Sequence, residues 1–148
     1  MKNILKTFII AIISVITLTG CTSTYMAYTF QVETGDNIKV EINTSEGHSL
    51  TNGVPFYVMK DNANVADGAF IPGSDYDDYV LTVKNTTEAT VLDEGEERGV
   101  KYLLYSVGDQ EFNYIIFIKD SNTGVILGSN VSLDAAKEAF ALLTFSVA

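Results

Sequence analysis

Cysteine, tryptophan and histidine are nearly missing from this chain. Its 148 residues hold one Cys, no Trp, one His and two Pro. A single cysteine excludes an internal disulfide, so a domain built from this sequence must be held by its apolar core. It also argues against a zinc centre, because one His and one Cys leave only carboxylates to complete the ligand set. Basic side chains are scarce: nine Lys and Arg stand against nineteen Asp and Glu, a formal charge of −10. Such a surface repels phosphate backbones, which argues against nucleic acid as a partner. Long apolar runs are missing as well. The longest, residues 8–18, carries Ser14 and Thr17 inside it and falls well short of the roughly twenty residues that a membrane-spanning helix needs.

What precedes and follows that run has its own logic. Lys2 and Lys6 stand before it, and the small residue Gly20 stands directly before Cys21. A charged start, a short apolar stretch and small residues before a break describe an export signal. Leu18-Thr19-Gly20-Cys21 resembles the lipobox of bacterial lipoprotein precursors. The resemblance implies cleavage between Gly20 and Cys21, acylation of the Cys21 thiol with diacylglycerol (palmitate-type chains), and an extracytoplasmic protein lipid-anchored to the bacterial cell membrane. In a Gram-negative cell the outer membrane is a further destination. The expected division is a signal peptide over 1–20, a lipidated cysteine and short tether over 21–27, and one domain over 28–148. Loss of Lys2 and Lys6 with the leader takes the formal charge from −10 to near −12. Anionic lipid headgroups would repel that surface, so attachment falls to the acyl chains, at about 0.8 kcal/mol per buried methylene.

The remaining residues read mainly as strands. Tyr28, Phe30 and Val32 alternate with polar residues, Thr34-Gly35-Asp36 signals a turn, and Ile38, Val40 and Ile42 alternate again. That pattern predicts a hairpin with one buried face. Residues 43–53 have loop chemistry, and Val54, Phe56 and Val58 begin another strand in which Pro55 suggests an edge. A short apolar stretch at 69–71 is closed by Pro72-Gly73. Residues 79–84 read as a strand, 89–92 as a weaker one, and 93–97 as an acidic loop. The segments 100–107 and 112–119 are apolar almost throughout, which predicts central strands covered on both faces. A shorter strand over 125–127 follows.

The last segment changes period. Ser132 suits an N-cap and Asp134 the positive end of a helix. Leu133, Ala136, Phe140 and Leu143 recur with helical spacing, one stripe for packing on a sheet. The expected fold class is therefore α+β, a mostly antiparallel β-sheet covered by a C-terminal helix. The order of elements resembles the PsbP/Mog1-like fold, with a hairpin at 30–42, a middle meander, a long apolar hairpin at 99–119 and a helix at 132–143. A small all-β sandwich is the alternative, and the terminal helix stands against it. The resemblance implies a binding or assembly module rather than a catalyst, and no functional residue carries over with it.

Candidate sites are few. His48 lies among loop residues, and no Gly-x-Ser-x-Gly elbow accompanies it, so an exposed loop histidine is expected. Tyr76, Asp77, Asp78 and Tyr79 form the candidate binding patch, aromatic residues beside acids in an expected loop. Asp75, Asp77 and Asp78 are the candidates for calcium, which takes six to eight oxygen ligands. Their spacing does not follow an EF-hand, so no metal or other cofactor is assigned. Asp93, Glu94, Glu96 and Glu97 could in principle pair carboxylates for hydrolysis. The leading expectation is a non-catalytic, lipid-anchored envelope protein that binds or assembles with an envelope protein partner. The alternatives are a hydrolase using clustered carboxylates and a calcium-dependent ligand-binding or adhesion lipoprotein.

Overall fold

Alternation of apolar and polar side chains closes the first hairpin as expected. In a computed structural model that describes residues 24–148, β1 (Tyr25–Gln31) pairs antiparallel with β2 (Asn37–Asn43), Phe30 opposite Ile38 and Tyr28 opposite Val40. The leader, the lipobox and Cys21 lie outside the described residues. The first strand begins at Tyr25, inside the stretch expected as tether.

The chain continues through β3 (His48–Leu50), β4 (Phe56–Lys60) and β5 (Ala63–Pro72) to helix α1 (Tyr76–Asn85). Then come β6 (Ala89–Glu97), β7 (Val100–Val107), β8 (Glu111–Ile118) and β9 (Thr123–Ser129). Helix α2 (Leu133–Leu142) runs straight into β10 (Leu143–Val147). Two antiparallel sheets result, one of three strands in the order β1-β2-β10 and one of seven in the order β3-β4-β5-β9-β8-β7-β6. Mostly antiparallel sheet with two α-helices is the α+β class expected from the sequence. Among the described residues no helix is long and apolar enough to cross a membrane.

Side chains of the seven-stranded sheet alternate between two clusters. Leu104, Ile116 and Leu127 face the three-stranded sheet and α2, meeting Ile38, Val40 and Phe140 in the main core. Phe56 is fully buried there, with Phe30, Phe70 and Phe145 centred 5.9, 5.6 and 6.4 Å from its ring. Its ring occupies the space above Gly68, where a Cβ would collide with Phe56 Cζ. Leu103 and Ile115, one residue away in each strand, face the opposite side and are covered by Tyr76 and Val83 of α1. The expectation that 100–107 and 112–119 are central strands covered on both faces is met.

Several elements differ from the sequence reading. Residues 79–84 form the body of α1, not a strand. Tyr76, Val80 and Val83 recur at helical spacing and reach the sheet together, and Asp77, Asp78 and Lys84 suit the helix ends. Burial of that stripe outweighs the β-branched composition. The acidic residues 93–97 are strand, the outer half of edge strand β6, where exposed charge is well placed. The segment 43–53 contains β3, and β4 lies between β3 and β5 rather than at an edge. β10 was not expected at all. Its Leu143 and Phe145 face inward and pair the strand with β2. The expected helix is as read: the Ser132 hydroxyl accepts a bond of 3.0 Å from the Ala135 N–H at its start.

Candidate functional site

Strand lengths in the large sheet do not match, and a groove follows from the mismatch. β5 is ten residues long and β4 only five. β4 begins at Phe56, opposite Gly68, and the chain before it passes through a cis Val54–Pro55 bond. Residues 69–72 of β5 thus pair with β9 on one side and, among the described residues, with no strand on the other. The end of β1 and the turn after it stand across that gap. Between them lies a cavity of about 570 Å³ lined by Val32, Val54, Phe70, Ile71 and Pro72, with Gln31, Glu33 and Thr34 at its polar side. That volume is in the range of ligand sites, as is an apolar lining with a few polar groups. Among the described residues Glu33 is the only charged one of the lining. A second cavity of about 480 Å³ shares Thr34 and Pro72 with the first and extends to Phe117 and Asn122.

The wall formed by the turn is tied down. Asp36 Oδ2 accepts from the Thr123 hydroxyl at 2.7 Å and from the Asn122 N–H at 2.8 Å. Thr34 Oγ1 lies 2.6 Å from Thr123 Oγ1. With the Thr123 proton committed to the carboxylate, Thr34 donates to Thr123, and the three side chains form a chain of bonds. The Thr123 bond first, and the Asn122 N–H next, hold the Asp36 carboxyl below the usual carboxylate range. Inside the turn, Val32 N–H donates to the Asp36 carbonyl at 3.1 Å, and Gly35 takes the positive φ of 90° that the reversal requires. The groove's polar rim is therefore fixed to the β8–β9 connection rather than hanging free.

The residues singled out in the sequence are distributed differently. Tyr76 is buried against Phe117, ring centroids 6.0 Å apart, so it cannot share a surface patch with Asp77, Asp78 and Tyr79. Burial first, and the nearby carboxylates of Glu94, Asp77 and Glu96 after it, push its phenol up to about 12. Asp77 and Asp78 are exposed on the first turn of α1, and Tyr79 is 42% exposed. Asp75 stands at the helix entrance and accepts from the Ser74 hydroxyl at 3.2 Å. Among the described residues no three His, Cys, Asp or Glu side chains assemble as a metal-ion cluster. The patch expected at 76–79 is thus divided by the helix that replaces the expected loop, with Tyr76 facing the sheet and Asp77, Asp78 and Tyr79 facing outward.

Asp93, Glu94, Glu96 and Glu97 do not converge either. Glu94 bonds Lys84 of α1 at 2.9 Å and Glu96 pairs with Lys119. Asp93 accepts from the Tyr102 hydroxyl at 3.1 Å, and Glu97 meets Arg98 at 3.0 Å. Strand alternation sends the first two toward the α1 side and the other two toward the core side. Arg98 also donates to the Phe140, Ala141 and Leu143 carbonyls, capping the end of α2.

His48 is the plainest correction. It is 3% exposed rather than a loop residue in solvent. Its Nε2 lies 3.5 Å from Glu138 Oε1, which also accepts from Lys60 Nζ at 3.0 Å, while Nδ1 has no hydrogen-bond partner among the described residues. Ser49 follows it in β3, and successive strand residues point to opposite faces, so the two do not pair. No family model, curated protein or solved structure matches this chain.

The groove itself was not foreseen. Its turn was legible in Thr34-Gly35-Asp36 and its floor in the apolar stretch closed by Pro72. Their meeting depends on the β4–β5 register and on the packing of the small sheet over the large one, for which the sequence carries no local signal.

Proposed function

We propose that this chain is a non-catalytic, lipid-anchored protein of the bacterial envelope, whose α+β domain has the PsbP/Mog1-like arrangement and binds a partner there. The observation that supports this reading is a groove at the far end of β1, the strand that opens the described domain. Tyr25 opens β1 only four residues after Cys21, a span of at most about 14 Å. The groove lies at the other end of β1, seven residues on, or about 23 Å away at roughly 3.3 Å per residue. In this reading a domain held at Cys21 carries its groove at the end of β1 opposite the anchored one. The acidic surface fits the same role, because only the acyl chains would draw the protein to anionic lipid.

The anchor is tested by metabolic labelling with radioactive palmitate and by membrane fractionation. The expected result is label on the unmodified chain and none on Cys21→Ser, with the variant released into the soluble fraction. Unchanged membrane retention of Cys21→Ser would overturn the anchoring. For the partner, crosslinking in cells through a photoreactive residue at exposed position 54 should give a discrete adduct that is lost when the crosslinker is moved to Leu81 on α1.

A further inference from the structure

We infer that the groove beside β5 is a strand-addition site for an extended peptide carrying apolar residues on one face and a basic residue at its end. The inference deepens the binding role proposed above. Two observations carry it independently. The first is the overhang: β4 starts at Phe56 opposite Gly68, and, among the described residues, 69–72 pair with β9 on one side only. An incoming strand that prolongs the line of β4 would meet main-chain groups already held at sheet spacing by β9. Pro72 offers no N–H and so ends the edge.

The second observation is the chemistry around that edge. A strand beside residues 69–71 turns alternate side chains toward the cavity of about 570 Å³, whose apolar part includes Val32, Phe70 and the 64% exposed Val54. An exposed valine beside such an opening is poorly placed for water and well placed for a ligand methyl group. Glu33 is the single charge among the described residues of the lining. A Lys or Arg at the end of the peptide satisfies it, and the excess of nineteen acidic over nine basic side chains draws a cation in from a distance. The turn that carries Glu33 is fixed by Asp36 to Asn122 and Thr123, so the peptide meets a formed wall and orders little on binding.

The test uses the full chain in non-ionic detergent and fluorescein-labelled peptides read by anisotropy. The probes are Lys-Val-Thr-Val-Lys, its Glu-Val-Thr-Val-Glu counterpart, and the Lys peptide N-methylated at the central residues. The Lys peptide should bind saturably and at least about threefold more tightly than the Glu peptide, a preference that shrinks with salt. Glu33→Lys should reverse that order, and N-methylation should weaken binding about tenfold or more. A benzophenone in the peptide should crosslink to Val54 or Phe70. Lack of saturable binding up to millimolar peptide, a charge preference indifferent to Glu33→Lys, or crosslinks elsewhere would overturn the site. Equal binding of the N-methylated peptide would overturn strand addition, leaving an apolar pocket for side chains or small molecules. Fractionation of Cys21→Ser reports on the anchor alone, so the two readings can fail separately.

Discussion

The two faces of the seven-stranded sheet are built to different standards. One packs against a second sheet and α2, with fully buried Ile116, Val58 and Leu127 interlocked among Ile38, Val40 and Ile42. The other is covered, among the described residues, by α1, which brings Tyr76 and Val83 down onto Leu103 and Ile115 and leaves Leu81 59% exposed on its outer side. Ile115 and Ile116 are neighbours in one strand and are both inaccessible to solvent. They differ in what surrounds them. A core clamped between two sheets cannot close around a void, whereas a single surface helix can shift inward. The cost of a deletion depends on that freedom.

The comparison can be broken by experiment. Ile116→Ala should cost about 4–5 kcal/mol, the upper part of the range for buried aliphatic truncation, and Ile115→Ala about 2–3 kcal/mol. Both are read from urea denaturation midpoints with the slope held in common. Equal losses would mean that α1 is as rigid a cover as the small sheet. An effect confined to acid is expected at the groove wall. The folded-state pKa of Asp36 is lowered from the ordinary 3.8, so its stabilisation is complete above that value and is lost as pH falls through the lowered one. The gap in melting temperature between the native chain and Asp36→Asn should therefore be open at about pH 6 and close toward pH 2. A gap that persists in acid would assign the loss to geometry instead of charge. Smallest of all, Leu81→Ala should change stability by no more than about 0.5 kcal/mol; a larger loss would show that the outer side of α1 is covered.

The same contrast explains what could be read in advance. Strands of the main core carry patterns that need no partner to be recognised: alternation in β1 and β2, unbroken apolarity in β7 and β8. α1 was misread because Tyr79, Val80, Thr82 and Val83 have strand-forming side chains, and their helical stripe is meaningful only once Leu103 and Ile115 are there to receive it. β6 was half missed for the opposite reason. Its acids look like loop, yet Lys84 and Lys119 arrive from elsewhere in the chain, and adjacent Arg98 from the turn, to neutralise them. His48 sits among Gly, Ser and Glu in sequence, and its burial under Glu138 and Lys60 is created by helix α2 and β4. Of the candidate site, the turn and the apolar floor were visible and the groove was not.

By itself, the sequence determined the α+β class, the first and the long apolar hairpins, and the helix that Ser132 caps. Its single cysteine also excluded an internal disulfide. These follow from periodicity, capping and composition, all of which act over a few residues. Tertiary structure alone decided that 76–85 is helix, that the chain ends in a strand beside β2, and that β5 outruns β4 by the residues that floor the groove. Those outcomes depend on register and on contacts between segments far apart in the chain, where a local pattern is one of several that burial can choose among.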